Sequence, residues 1–168
     1  MNQATIKKSL VTQLEPRFEN GKAMLIAGLR SRYRWERMNG ISAQWQHFAP
    51  YIGKIPGQVG SVAYGVIFSV SGGIDYLSGV EVSISSGLPS EFSVISIPAQ
   101  EYAVFPHRDH VSKLRETIDA VFNQWLPASG HQVPRGEGGA PDFFERYSEE
   151  FNPQTGMNGI EVWVPIKA

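Results

Sequence analysis

Hydrophobic and polar positions along the chain follow two periods, which divide its first half into strands and a helix. From Lys22 the apolar run AMLIAGL predicts a strand. A helix follows, and its apolar positions recur at spacings of three and four: Ile41, Trp45, Phe48 and Ile52. Gly53 is placed to end this helix. Residues 61–70 and 75–84 then predict two strands separated by the turn sequence SGG. The first half therefore reads strand, helix, strand, strand.

The same pattern restarts in the second half. Residues 91–107 are rich in β-forming side chains and are interrupted at Pro98, and Asp109 is placed to cap a helix. The apolar positions of that helix again have helical spacing: Val111, Leu114, Ile118, Val121, Phe122 and Trp125. Beyond a Gly- and Pro-rich loop, residues 142–148 and 159–166 predict two further strands.

A short sequence match between the two halves indicates an internal repeat. GVEVSI at 79–84 and GIEVWV at 159–164 share the pattern G-[VI]-E-V-x-[IV] at an offset of 80 residues. We therefore interpret residues 1–168 as one α+β domain with pseudo-repeats at about 22–84 and 91–167. The predicted fold is a curved antiparallel sheet with helices on one side and a central ligand cleft. The alternative is that these six positions match through composition alone.

Composition and charge exclude several classes of function. Fifteen Lys and Arg against sixteen Asp and Glu give a net charge of −1, so direct nucleic-acid binding is not expected. Without cysteine, the chain has no disulfide and no thiolate nucleophile. It has no signal peptide or membrane-length apolar run, so we expect a soluble, cytoplasmic protein that does not bind membranes. No cofactor is indicated. His107 and His110 have no evident third ligand, so no metal site is expected.

The two halves differ in a way that indicates a binding site. At the offset of 80 residues, Glu145 corresponds to Gly65 and Trp163 to Ser83. Only the second half therefore has a carboxylate and a large ring at these two positions. Strand alternation places Glu145 and Tyr147 on one face. If the last two strands pair, we predict that Glu145, Tyr147 and Trp163 share a face opposite an apolar, core-facing one.

A carboxylate among aromatic rings favours an organic cation as its partner. Desolvation of the carboxylate is costly unless a partner neutralises it. An ion pair at about 4 Å contributes roughly 4 kcal/mol at an effective dielectric constant near 20, and each ring adds on the order of 0.5–2 kcal/mol. The alternative is that Glu145 pairs with Arg146, Arg108 or a lysine at the rim.

Several short motifs resemble the GyrI-like effector-binding domain, which also forms the drug-sensing half of AraC- and MerR-type transcription regulators. They are AYGV at 63–66, DYLSGVEV at 75–82, IPAQEYAVFPHRD at 97–109, NQWLPASG at 123–130, FFERYSEEF at 143–151 and IEVWVPI at 160–166, together with Trp45 and Phe48 in the first helix. The resemblance covers about residues 22–167. It implies a tandem pair of SHS2-like β-α-β-β halves around a cleft.

The resemblance also implies a set of ligand-binding residues. In multidrug-binding members, the glutamate of the motif that matches FERY holds lipophilic cations, which implies Glu145 as counter-ion with Tyr147 and Trp163 as flat walls. The resemblance implies four further aromatic residues as weaker ligand-binding candidates, for which a role as ordinary core or core-lining residues is at least equally expected: Tyr64, Phe105, Trp45 and Phe48. The chain looks like a standalone member without the regulators' DNA-binding domain. We expect it to bind amphipathic, cationic, drug-like molecules, with a homodimer or a partner regulator as further options.

Two other functions stay open. Some GyrI-like proteins hydrolyse strained electrophiles such as cyclopropanoid natural products. On that interpretation Glu145 activates water, Tyr147 hydrogen-bonds to the leaving oxygen, and Glu161 is a second acidic group if it faces the cleft. The third option is a protein-interaction role of the gyrase-inhibitor type.

Overall fold

The computed structural model describes residues 14–134 and 140–167. Eight strands lie in these ranges: β1 Arg17–Gly21, β2 Met24–Arg34, β3 Gln58–Val70, β4 Gly73–Val82, β5 Ser93–Ile97, β6 Gln100–His107, β7 Phe143–Tyr147 and β8 Ile160–Ile166. The helices are α1 Gly40–Phe48, α2 Leu114–Ala120 and α3 Leu126–Ser129, and a π-helical turn, Val121–Trp125, joins α2 to α3. Each helix in the described part of the chain is too short or too polar to span a membrane.

The strands and helices follow the predicted order, with one addition. Strand β1 lies in a polar stretch for which the sequence pattern predicts no strand. The first helix ends as predicted: a 3₁₀ turn follows α1, and Gly53 comes shortly after it. Gly53 takes φ 90°, a conformation that favours glycine. Gly130 ends α3 in the same way, at φ 76°.

All eight strands form one antiparallel sheet in the order β1-β6-β8-β7-β3-β4-β2-β5. Only Pro98 and Ala99 connect β5, at one edge, to β6, next to the opposite edge. Three Cα steps separate Ile97 from Gln100 and span at most about 11 Å, so the sheet must curl until its two ends approach each other. The result is a half-barrel. Its inner face buries one apolar cluster: Ile26, Tyr64, Val66, Leu77, Ile97, Tyr102, Val104 and Phe144.

Both helical segments pack on the other face of the sheet. Phe48 of α1 lies with Ala27 and Val80, whereas Leu114 of α2 lies with Phe105 and other residues of β6 and β8. Because α1 and the α2 segment cover separate clusters at the two ends of the sheet, a space is left between them over its centre. The α+β class and the curved antiparallel sheet with helices on one side agree with the prediction.

The strand order is symmetric about the pairing of β3 with β7. The elements β2, α1, β3 and β4 follow one another in the first half as β6, α2, β7 and β8 do in the second. The sheet order β6-β8-β7-β3-β4-β2 also reads alike from both ends. Gly65 and Glu145, 80 residues apart, lie directly opposite each other at the centre. Duplication of one SHS2-like unit stays a prediction.

Candidate ligand-binding site

A cavity of about 890 Å³ occupies the space between α1 and α2. Its floor consists of side chains from the central strands β3, β4 and β7, and its walls come from the two helices. Ten of its lining residues are apolar or aromatic side chains on these elements or on the π-helical turn after α2: Ile41, Trp45, Ile67, Ile74, Tyr76, Leu114, Ile118, Phe122, Phe143 and Tyr147. A space of this size and lining can enclose a drug-sized organic molecule.

Glu145 lies on the floor of this cavity and is only 7% exposed. Its side chain fits there because its cross-strand partner is glycine. A Cβ atom added to Gly65 would lie 2.6 Å from Glu145 Oε1 and closer still to Tyr76 Oη. Any other residue at position 65 would therefore displace the groups around the carboxylate.

Two tyrosines and one tryptophan form a hydrogen-bonded chain around the carboxylate. Tyr76 Oη and Tyr147 Oη both donate to Glu145 Oε1, at 2.6 Å and 2.8 Å. Trp45 Nε1 donates to Tyr76 Oη at 2.9 Å, and the Trp45 ring meets the edge of the Tyr147 ring at a centroid distance of 5.4 Å.

The position of Trp45 is set by the residue before it. Gln44 is buried, and its side-chain amide donates to the carbonyl oxygens of Leu29 and Tyr76, at 2.9 Å and 3.1 Å, and to Ser78 Oγ at 3.1 Å. These bonds hold α1 on β2 and β4, so Trp45 faces the cavity at a fixed height above the sheet.

The electrostatics of the site are dominated by burial. Desolvation raises the pKa of Glu145, and the hydrogen bonds from Tyr76 and Tyr147 offset part of that rise because they stabilise the carboxylate. Burial and the neighbouring Glu145 charge raise the pKa of both tyrosines well above the usual value, so their hydroxyls stay protonated donors.

No ion pair to Glu145 is present among the residues that the structure describes. Arg146, its neighbour in sequence, points to the other face of the sheet, where it lies 3.6 Å from Glu161 and over the ring of Trp163. Pairing of Glu145 with Arg146, one of the alternatives above, is therefore wrong.

The prediction that Trp163 shares a face with Glu145 is also wrong. In the pairing of β7 with β8, Trp163 lies opposite Phe144, and Glu145 lies opposite Val162. The Trp163 ring stacks on Phe144, with centroids 5.5 Å apart, and contacts Tyr102 inside the half-barrel. Alternation fixes the faces within each strand, but only the register relates one strand to the next.

The other predicted aromatic residues divide between cavity and core. Trp45 and Tyr147 line the cavity. Tyr64 packs against Phe144 inside the half-barrel, Phe105 packs against Trp125 beneath α2, and Phe48 is fully buried beneath α1. These three belong to the core and do not line the cavity, in agreement with the plainer of the two expectations for them.

Sequence reasoning missed Tyr76, which makes the shorter of the two hydrogen bonds to Glu145. The signal was available in the β3–β4 hairpin, because a turn at SGG sets a register in which Ile67 faces Tyr76 and Gly65 faces Ser78. Tyr76 is therefore diagonal to Gly65 on the same face. The α2 wall also contains charged side chains at the rim, Arg115 and Asp119, that sequence reasoning did not single out.

The fold and the cavity define an α+β small-molecule-binding domain, and comparison with known proteins gives its family. The family model of the GyrI-like small molecule binding domain matches residues 14–167. The chain belongs to this family.

The chain is similar in sequence to one transcriptional regulator and shares its fold with several solved structures. The transcriptional regulator BrlR of Pseudomonas aeruginosa is 27% identical over 129 residues, which are 75% of this chain and 46% of BrlR. The chain thus spans less than half the length of that regulator. The structure of SAV2435 bound to tetraphenylphosphonium has a TM-score of 0.70 at 19% identity, covering 92% of this chain and 95% of SAV2435. The EcmrR C-terminal domain has a TM-score of 0.65 at 8% identity, covering 92% and 98%.

Proposed function

We propose that this domain binds amphipathic organic cations in the cavity between α1 and α2, with Glu145 as the counter-ion. Trp45, Tyr76 and Tyr147 supply aromatic surfaces around the positive group, and the apolar residues of both helices contact the rest of the ligand. The observation that carries the proposal is the buried carboxylate, which no cationic side chain of the described residues neutralises.

The energetics favour a guest with a positive charge. Burying an ionised carboxylate costs several kcal/mol, and the two hydrogen bonds that it accepts from neutral hydroxyls, about 1.5–3 kcal/mol each, offset only part of that cost, since the pKa of Glu145 stays raised. A cation at about 4 Å contributes roughly 4 kcal/mol at an effective dielectric constant near 20. The same carboxylate that lowers the stability of the ligand-free protein therefore raises its affinity for a cation.

The relatives support the proposal and extend it to regulation. SAV2435, which shares this fold, was solved with tetraphenylphosphonium, a lipophilic cation. BrlR is a transcriptional regulator, and EcmrR was solved in complex with DNA. We infer that this domain acts as an effector-binding module that reports the presence of such cations to transcription, either through a partner regulator or through segments beyond the domain.

The test is a titration with tetraphenylphosphonium, followed by calorimetry, on the wild type and on Glu145→Gln. The glutamine keeps the shape and the acceptor oxygen for both tyrosines but removes the charge. We expect its dissociation constant to rise at least about tenfold, which corresponds to about 1.4 kcal/mol. The matched control is Glu149→Gln, which removes one exposed carboxylate outside the cavity. If Glu145→Gln binds the cation as tightly as this control, the counter-ion role is refuted.

One observation keeps the hydrolase as a second candidate. Glu161 lies on the other face of the sheet, but Asp119 and Asp142 line the same cavity as Glu145 and supply other acidic groups. Asp142 Oδ2 already accepts a hydrogen bond from the Ser69 amide at 2.9 Å. Incubation with an electrophilic cyclopropane separates the two functions: a hydrated product in the mass spectrum supports turnover, and recovered starting material supports binding alone.

A further inference from the structure

The two oxygens of the Glu145 carboxylate are in different situations. Both tyrosine hydroxyls donate to Oε1, and Oε2 receives no hydrogen bond from any residue that the structure describes. Glu145 lines the cavity, and Oε2 is not among the sealed, unpartnered polar atoms of the described residues. Oε2 is therefore the oxygen that a ligand meets.

The direction of the hydrogen-bonded chain fixes where a proton on Glu145 would reside. An indole N–H can only donate, so Trp45 donates to Tyr76 Oη, and the single hydroxyl proton of Tyr76 goes to Glu145 Oε1. Since Oε1 accepts this bond and a second one from Tyr147, it behaves as a carbonyl oxygen. A protonated Glu145 thus carries its hydrogen on Oε2, where it is a donor directed at the cavity.

The surroundings of Glu145 favour its protonated form more than water does. Burial without a cationic partner raises its pKa, whereas the two tyrosines remain neutral. Other ionisable groups line the same cavity: Asp142 before β7, and His110, Arg115 and Asp119 on the α2 side. None of them forms an ion pair with Glu145 within the described residues.

We propose that the site has a second class of ligand: with a hydrogen on Oε2, Glu145 donates it to neutral amphiphiles that carry a strong hydrogen-bond acceptor, such as a carbonyl or phosphoryl oxygen. This inference rests on the proposed function, because it uses the same cavity and the same carboxyl group. Cations and neutral acceptors then have opposite pH dependences. The cation binds more tightly as pH rises and the carboxylate forms, and the neutral acceptor binds more tightly as pH falls.

Two probes of similar shape test the proposal on the whole chain between pH 5 and pH 8. Tetraphenylphosphonium is the cation, and triphenylphosphine oxide is a neutral molecule with a phosphoryl acceptor. For the wild type we expect the oxide to bind about threefold to tenfold more tightly at pH 5 than at pH 8, the effect of one hydrogen bond, and the cation to show the reverse order.

The variant Glu145→Gln provides the sharpest test, because its side-chain amide N–H₂ permanently replaces the Oε2 hydroxyl as a donor. It should bind the oxide at all pH values about as tightly as the wild type does at pH 5, and it should bind the cation weakly throughout. His110→Gln is the control for an imidazole that lines the cavity, and both pH dependences should persist in it. Circular dichroism at each pH confirms that the variants are folded.

The outcomes separate the two proposals. A flat pH profile for the oxide in the wild type, or loss of oxide binding in Glu145→Gln, overturns the second ligand class while the cation results still support the proposed function. If instead neither pH nor Glu145→Gln changes binding of the cation, the proposed function fails and this inference fails with it.

Discussion

Replacing Gly65 by alanine should disturb the charge site without adding or removing a charge. The residue has ordinary strand backbone angles, so alanine introduces no backbone strain. Its Cβ, however, would lie 2.6 Å from Glu145 Oε1, against 3.4 Å for an ordinary contact. The carboxylate must therefore move by about 0.8 Å, and Tyr76, which is closer still, must move as well.

The size of the effect on binding follows from that displacement. Moving the carboxylate from about 4.0 Å to about 4.8 Å from a bound cation lowers their attraction by about 0.7 kcal/mol at an effective dielectric constant of 20, about threefold in the dissociation constant. Loss of the Tyr76 hydrogen bond adds to this. Overpacking costs about 1–3 kcal/mol, and the reduced entropy of the unfolded chain returns about 0.5–1 kcal/mol, so the net loss of stability is about 0–2.5 kcal/mol.

The assay compares tetraphenylphosphonium with an uncharged ligand of similar size, and thermal denaturation measures stability. We expect Gly65→Ala to lower the affinity for the cation more than the affinity for the neutral molecule. In the double variant with Tyr76→Phe, which removes the closest oxygen, part of the lost stability should return but the cation affinity should not. Equal weakening of both ligands would mean general damage to the cavity, and unchanged cation affinity in a folded Gly65→Ala protein would refute the reasoning.

Four further predictions follow from single contacts. Trp163→Ala should lower stability by about 2 kcal/mol in urea denaturation, because its ring packs inside the half-barrel, but change cation affinity by less than twofold. Trp45→Phe removes the indole donor to Tyr76, so the dissociation constant for tetraphenylphosphonium should rise about twofold to threefold. The arginine hydrogen bonds that lower the pKa of Asp75 contribute stability that is lost as pH falls below about 4, so Asp75→Asn should flatten the acid limb of the stability curve. The raised pKa of Glu145 means that the wild type loses stability as pH rises above about 4, and Glu145→Gln should abolish that loss.

Local patterns in the sequence predicted most of the fold, because strands and helices are set by local periodicity. The faces of β7 and β8 were each assigned correctly within the strand. What failed was the relation between them: Trp163 pairs with Phe144, so it lies on the face away from Glu145. Register between distant strands depends on the packing of the whole sheet, which alternation within one strand does not report.

The candidate site was predicted in part for the same reason. Glu145 stood out because a carboxylate among rings conflicts with burial, and that conflict is visible in one short motif. Tyr76 did not stand out, since a tyrosine in an apolar strand is ordinary, and its role depends on a contact with a residue 69 positions away. A residue that conflicts with its own local pattern can be found in a sequence. A contact between two distant strands can be found only when the register of those strands is known.

The contrast between Gly65 and Glu145, visible in the sequence as a departure from the predicted repeat, has a physical reason in the sheet. The two positions pair directly across β3 and β7 and face the cavity side by side. Two glutamates there would bring like charges to a cross-strand distance of about 5 Å in a buried site, where they repel strongly. One glutamate opposite a glycine avoids this repulsion and gives the remaining carboxylate room for its two tyrosine donors. A site at the junction of two similar halves therefore holds a single negative charge only if the halves differ at this position.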